Sequence, residues 1–571
     1  MMTTEVATAA LEGGTFDVII AGSGGGALVA ALRVAAAGLT PVVIEKTAVV
    51  GGTTALSHGG LWLPANPLMR EAGLEDSVEA GLEYLQHVVG DQGPATSPQR
   101  QEAFIRGGIR LIDFLRSEGV VFRRILDYPD YHPDAPGARE NGRMVATPMV
   151  DARRLGQWQD LPRPRPPLPG GLVMHSVEQF RSLLAAGVSW RARFEVARIL
   201  ADTVAMRLRG VKPLVMGQSY VGHLLLAAQR RGIRIETDTA LRELILEHGR
   251  VTGVIADRHG QRVRFSARNG VLLAAGGFAR NQELRDRFGP HPASDQWTAV
   301  SEGDTGDPLL AATAIGAATA NLAMAYWLPG LMDADGNCQI FVAERVVPHS
   351  ILVDTSGARF SNEAQSYVTL GNEQYQRNQT VPAVPAYLII DARHRRRWSL
   401  GLTPPGVPPR KWLRSGHLKK ASTLAELARA CGIDPGGLER TVERFNRMAL
   451  AGVDEDFGRG NDAYDRVYGD PSHGPNPCLG TIENPPFYAA KMYPTDVGMA
   501  GGLLTDEYAR VIGEDGTAID GLYACGTSAA SAMGDTYPGG GVSLGQSSVF
   551  ALIAAEHATN ASATNPERAK R

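Results

Sequence analysis

Residues 16–27, Phe-Asp-Val-Ile-Ile-Ala-Gly-Ser-Gly-Gly-Gly-Ala, run an apolar strand straight into a glycine turn. Gly22, Gly24 and Ala27 fit the spacing G-x-G-x-x-G/A, and an apolar helix pattern, Leu28 to Ala37, follows. A second strand, Pro41 to Ile44, ends at Glu45. That carboxylate stands about 20 residues beyond the turn, where a ribose hydroxyl needs an acceptor. Gly22 permits the tight turn, and Gly24 lets backbone approach a pyrophosphate. The N–H dipoles of the helix that follows point at its charge. Strand, turn, helix and acid in this order predict a Rossmann-type α/β fold that binds a dinucleotide, ahead of an ordinary βα turn.

Residues 51–60, Gly-Gly-Thr-Thr-Ala-Leu-Ser-His-Gly-Gly, follow the Glu45 strand closely, and their hydroxyls and backbone suit cofactor contact better than a free loop. Val251 to Asp257 and Arg262 to Arg268 read as a β-meander, and Gly270 to Phe278 as a buried strand ending in a glycine pair. Gly521 to Gly526 repeats the pattern of apolar strand then glycine. Nucleotide-binding signals thus lie at both chain ends and in the middle. This predicts a domain assembled from discontinuous segments, 1–326 and 498–571, with an α+β catalytic domain inserted over 327–497. The Pro-rich run 161–172 reads as a loop.

A chain of 571 residues can bury at least two cores. A net charge of −3 gives no sign of nucleic-acid binding. The four cysteines (Cys338, Cys431, Cys478, Cys525) are scattered, so reduced thiols in a cytoplasmic protein are expected, with no metal site. Glu5 and Glu12 stand where a secretory leader would be basic, and no run of about 18 apolar residues occurs.

Asp535 to Gly545, Asp-Thr-Tyr-Pro-Gly-Gly-Gly-Val-Ser-Leu-Gly, precedes an apolar helix pattern, Val549 to Ala555. Three glycines before a helix expose N–H groups to an anion, either a reduced flavin ring or a substrate enolate. Tyr537 beside them can donate to the same oxyanion, although a buried tyrosine is more often packing.

Here the chain resembles the FAD-dependent 3-ketosteroid Δ1-dehydrogenases, within the fumarate reductase/succinate dehydrogenase flavoprotein class. The resemblance spans most of the chain. It rests on Phe16–Ala27 with Glu45-Lys46, Gly51–Trp62, Pro129-Asp130-Tyr131, Gly270–Gly277, Phe360–Tyr367, Pro486–Tyr488 and Gly521–Gly545. The Asn-Glu-x-x-x-Tyr and Tyr-Pro-Gly-x-Gly segments are its most specific parts. It implies that Tyr537 and the Gly541 N–H bind the C3 ketone oxygen and that Tyr367 removes a C2 proton. Tyr131 would hydrogen-bond Tyr367, and FAD would take the C1 hydrogen as hydride. From the residues alone Tyr128 is as visible a candidate as Tyr131. The residues expected around FAD are Gly22, Ser23, Gly24, Gly26, Ala27, Glu45, Lys46, Gly52, Thr53, Thr54, Ser57, Gly59 and Gly60, with Ala275, Gly276, Gly526, Ser543 and Leu544.

The implied partners are a 3-ketosteroid and an electron acceptor, a quinone or an artificial dye. Desaturation at C4–C5, a fumarate-type reductase and a non-catalytic flavin-binding module are the alternatives. The fumarate reading lacks its cation clamp, because residues 535–550 hold no Arg, Lys or His. Arg359, near Tyr367, reads as a surface strand-end charge. Residues 173–213 extend beyond compact family members as an apolar and basic helical segment. Peripheral membrane contact, internal packing and an oligomer contact remain open for it.

Overall fold

In the computed structural model, which describes residues 10–333, 336–401 and 403–563, the apolar strand and glycine turn take the expected form. Strand β1 (Leu11–Ala21) leads into α1 (Gly25–Ala36) and then β2 (Pro41–Ile44), which lies parallel to β1. Val18 to Ala21 and all of β2 are buried, as parallel strands covered on both faces require. Helices α2 (Val177–Ala185) and α3 (Trp190–Leu208) form a hairpin. Helix α4 (Gly217–Arg230) then leads to β3 (Arg234–Glu236), parallel to β2. Strands β4 (Thr239–Glu247), β5 (Arg250–Arg258) and β6 (Gln261–Leu273) form an antiparallel meander. The segments 262–268 and 270–273, read separately in the sequence, are one strand. It turns at Gly270 (φ +130°) and pairs parallel with β1.

A second, antiparallel sheet comprises β7 (Ala325–Met332), β8 (Cys338–Ile340), β9 (Ser350–Val353), β10 (Ala386–Ile390), β11 (Leu418–Ala421) and β12 (Phe487–Met499). Its order is β8-β7-β12-β10-β9, with β11 also on β12. Helix α5 (Tyr367–Asn378) packs on β7. The chain then returns to the first sheet through β13 (Arg510–Ile512) and β14 (Ala518–Ala524), ordered β13-β14-β5-β6-β1-β2-β3. Helix α6 (Val542–Ala563) closes the described chain against α1. It begins at the third glycine's neighbour, seven residues before its apolar pattern. It is buried nearly all round, so no amphipathic period marks its start. It runs past His557 to Ala563, and residues 564–571 lie outside the described ones.

Candidate active site

Four parallel strands end at one cleft. Gly22 follows β1, Glu45 follows β2, Ala275 and Gly276 follow β6, and Gly526 follows β14. Open α/β sheets bind ligands beyond such carboxyl ends. Ser23, Gly24, Lys46, Gly52, Thr53 and Thr54 line the same cleft. Gly26, Ala27, Ser57, Gly59, Gly60, Ser543 and Leu544 are not on its wall. A Cβ on Gly26 would strike Ser547 Oγ at 2.6 Å, so that glycine serves the packing of α1 against α6.

The cleft has room that packing does not explain. A Cβ built on Gly24 meets only Thr54 Oγ1, at 3.5 Å, and one on Gly52 meets only Gly24 Cα, at 3.9 Å. Side chains there would fill a cradle rather than strike the protein, which fits a dinucleotide whose pyrophosphate needs bare backbone. The Glu45 carboxylate is aimed by Ser23 Oγ on one oxygen and by Thr47 N and Oγ1, both at 2.8 Å, on the other. Lys46 is tied to Thr305 and to Asp307 (2.9 Å). The wall also includes Thr239, Leu241, Ser301, Gly303, Asp304 and Thr527, none of them selected from sequence. Burial raises the Asp304 carboxyl to about 6. The run Ser301-Glu-Gly-Asp-Thr-Gly-Asp307 carried a usable signal in its glycines and acids.

Tyr131, Tyr367 and Tyr537 converge from positions hundreds of residues apart. The Tyr131 hydroxyl donates to Tyr367 Oη at 3.2 Å. The rings of Tyr131 and Tyr367, and of Tyr367 and Tyr537, have centroids 5.3 Å apart, and those of Tyr131 and Tyr537 lie 5.7 Å apart. Each tyrosine is held by its own segment. Asp130 accepts from Trp62 Nε1 (2.6 Å) and Arg143 (2.7 Å), while the Tyr131 N–H donates to Pro538 O (2.9 Å). The Pro-Asp-Tyr loop is thereby pinned to the segment that carries Tyr537. Tyr367 is the first residue of α5. The Tyr537 hydroxyl pairs with Ser543 Oγ at 2.9 Å, at the start of α6. Gly541 sits at φ +93°, and a Cβ there would lie 2.1 Å from Gly60 O, so only glycine fits.

Arg359 is not the surface charge the sequence suggested. It is buried and pairs with Glu363 (2.7 Å) and Asp454 (2.8 Å). Arg459 also reaches Glu363, at 3.2 Å, and Asn362 Nδ2 donates to Asp465 at 2.9 Å. The Asn-Glu of the Asn-Glu-x-x-x-Tyr motif therefore anchors the strap leading to Tyr367. Arg345, fully buried, donates to the backbone of Glu363 and, at 3.0 Å, of Gln365 in the same strap.

More phenols surround the three. Tyr128 Oη lies 3.3 Å from both Tyr131 Oη and Tyr468 Oη, so Tyr128 and Tyr131 belong to one chain of hydroxyls. The Tyr464 ring lies 4.2 Å from that of Tyr131, and Tyr326 stands 5.4 Å from Tyr537. As lone aromatics, Tyr464, Tyr468 and Tyr326 carried no sequence signal. Burial pushes the Tyr131 and Tyr367 phenols well above their ordinary range and raises Tyr537. The hydroxyl donated by Tyr131 offsets a part of that rise at Tyr367.

The chain matches the FAD binding domain family across residues 17–544. It is 38% identical to the 3-oxosteroid 1-dehydrogenase of Mycobacterium tuberculosis, over 95% of this chain and 98% of that one. It is 35% identical to the 4-oxocyclohexanecarboxylate 2-dehydrogenase of Sinomonas cyclohexanicum, over 93% of this chain and 90% of the relative. Among solved structures it is similar to the 3-ketosteroid Δ1-dehydrogenase from Sterolibacterium denitrificans in complex with 1,4-androstadiene-3,17-dione. That likeness has a TM-score of 0.90 and 34% identity, and covers 96% of this chain and 100% of the other.

Proposed function

This chain belongs to the FAD-binding-domain family, among its 3-oxosteroid 1-dehydrogenases, and on that premise we propose that it introduces the C1–C2 double bond into a 3-ketosteroid during steroid or sterol breakdown. The reaction converts a 3-keto-4-ene to a 1,4-dien-3-one. The observation that carries this reading is the convergence of Tyr131, Tyr367 and Tyr537 beside Gly541.

The Tyr537 hydroxyl and the Gly541 N–H hold the C3 ketone oxygen, where negative charge develops as the α-hydrogen leaves. The N-terminal end of α6 adds its dipole at the same place. Tyr367 takes the C2 proton. A buried phenol is a poor base, and the Tyr131 donor with the α6 dipole makes its phenolate accessible. FAD, when bound, supplies the acceptor for the C1 hydrogen as hydride. The residues proposed to hold it are those of the cleft from Gly22 and Gly24 to Gly526, with Glu45 on the ribose. Gly26, Ala27, Ser57, Gly59, Gly60, Ser543 and Leu544, which lie off that wall, stay proposed as the rest of the cofactor site. A quinone or an artificial dye then removes the electrons, and a cytoplasmic site is proposed for the reaction. Segments 1–326 and 498–571 are proposed as the cofactor unit, with 327–497 as the substrate unit.

A second reading comes from the Sinomonas relative, whose name describes a monocyclic keto acid as substrate. The steroid reading is favoured because Arg359, the arginine nearest Tyr367 in sequence, is committed to Glu363 and Asp454 rather than to a substrate carboxylate.

The test is anaerobic mixing of the holoenzyme with androst-4-ene-3,17-dione, followed by product identification. Bleaching of the flavin with formation of the 1,4-diene is expected. An unbleached flavin and unchanged steroid, with bleaching by 4-oxocyclohexanecarboxylate instead, would replace the first reading by the second.

A further inference from the structure

The Pro-rich run over residues 161–167, Leu-Pro-Arg-Pro-Arg-Pro-Pro, is more than a connection. Proline fixes its own φ and drives the residue before it into extended backbone, so the run is stiff. Alternate residues of an extended chain share a side. Pro164 and Pro166 accordingly stand exposed, while Arg163 is buried and Arg165 half-buried. The backbone around Arg163 is pinned. Val50 N donates to Leu161 O, Arg163 N to Val50 O and Gln218 Nε2 to Arg163 O, each at 2.8 Å. Arg165 reaches the same cofactor segment through Ser57 O, at 2.7 Å.

Arg163 Nη2 donates to Thr47 Oγ1 at 2.8 Å. A guanidinium only donates, so the threonine oxygen accepts here and its own hydrogen is left for other partners. Those partners are Glu45 Oε1 and Val49 O, both at 2.8 Å. Thr47 N reaches the same Glu45 oxygen, also at 2.8 Å. The cation thus stands one hydroxyl away from the buried Glu45 carboxylate and polarises the donor that aims it. The other arm of the fork, Nη1, meets Glu302 at 3.0 Å. Glu302 stands between Ser301 and Gly303, both on the cleft wall. Its side chain is 73% exposed, against 8% for Arg163. A carboxylate so open to water contributes little, so the Thr47 arm carries most of the effect.

We propose that Arg163 is a positioning residue for the adenosine half of the cofactor. Arg163 and Thr47 both lie off the cleft wall. Arg163 fixes Thr47, and Thr47 fixes Glu45 against the ribose hydroxyls. Two donors on one Glu45 oxygen and Ser23 on the other hold a single orientation before the cofactor arrives, which lowers the ordering cost of binding. The proposal rests on the reading that Glu45 holds the ribose. It does not depend on the steroid chemistry.

The test is equilibrium binding to the full chain stripped of flavin, followed by flavin fluorescence. FAD is compared with the analogue whose adenosine ribose lacks both hydroxyls. The parent should bind FAD about 10-fold or more tighter than the analogue. Arg163→Met should weaken FAD about 10-fold and the analogue by about 2-fold at most, so the preference narrows. Thr47→Val should do the same. The double variant should lose no more than either change alone, since both break one chain of hydrogen bonds. Arg163→Lys should recover part of the loss, and Glu302→Gln should cost about 2-fold or less. Equal weakening of FAD and analogue by Arg163→Met would leave Arg163 a support of the fold alone and overturn the proposal, as would no weakening of either. Additive losses in the double variant overturn the route through Thr47. If Arg163→Met does not fold, Thr47→Val decides, and a full preference for FAD in that variant overturns the proposal. A parent that binds FAD and the analogue alike removes Glu45 from the ribose, and the role of Arg163 with it.

Discussion

At the carboxyl ends of β1, β2, β6 and β14 the cleft wall is largely backbone, small residues and short hydroxyl side chains with a few charged ones, while in the neighbouring pocket one phenol meets another. The cleft binds by subtraction. Its work is done where side chains are missing, as at Gly24 and Gly52. The pocket works by accumulation, with Tyr128, Tyr131, Tyr367, Tyr464 and Tyr537 crowding one another out of water. The two should therefore fail differently. An added side chain should empty the cleft without unfolding it, whereas a removed hydroxyl should silence the pocket without emptying the cleft.

The largest effect is expected at Gly24→Val. Its extra carbons enter open space next to Thr54, so the fold should survive while FAD is excluded. Circular dichroism should match the parent, and the purified protein should be colourless. A yellow, fully loaded Gly24→Val protein would mean that the cofactor lies elsewhere.

Tyr367→Phe should leave the flavin spectrum in place and lower turnover by roughly 10²–10⁴-fold, the usual worth of a positioned base. Steady-state rates set against flavin content measure this. A loss below about 10-fold would remove Tyr367 from that role.

The smallest and most discriminating effect is expected at Tyr131→Phe. Burial holds the Tyr367 phenol well above its ordinary range, so the active phenolate gains population as pH rises and turnover should climb toward alkaline pH. Without the Tyr131 donor the rising limb should move to still higher pH, with a loss of about 10-fold at neutral pH. A rate–pH profile that only drops, without moving, would leave Tyr131 a packing role. The stability sign is opposite. Phenols with raised folded-state pKa values contribute stability that is fully present below the ordinary phenol pKa of about 10. It is lost as pH climbs past that value toward the raised ones. Chemical denaturation of the parent at pH 8 and at pH 11 should show the fold weakening where the base gains population.

The contrast also explains what could be read from the chain. Gly22, Gly24 and Glu45 are spaced by one βαβ unit, so local pattern suffices for them. Thr239, Ser301 and Asp304 reach the same cleft from separate segments, and only the closed sheet brings them there. In the pocket, Tyr537 was visible only through the three glycines beside it, and Tyr131 and Tyr367 were chosen by resemblance. Tyr464 and Tyr468 have no motif around them. Arg359 was misread although Glu363 stands four residues away, because its other partner, Asp454, lies 95 residues on. Helix α6 was begun too late because total burial erases the very periodicity by which helices are found.

The first sheet draws its neighbouring strands from both ends of the chain: β1 starts at Leu11 and β14 ends at Ala524, with β6 between them. During synthesis about five hundred residues must therefore be made between Gly22 and Gly526, the last wall of the cleft, before the two can meet. The early half must wait with the carboxyl edge of its sheet open while the whole second sheet is made, and long-range parallel pairing of this kind is slow. Flavin capture thus waits until the chain has returned to its first sheet. A chain that stopped before Ala518 would lack β14 and α6 and would have no closed cleft to load.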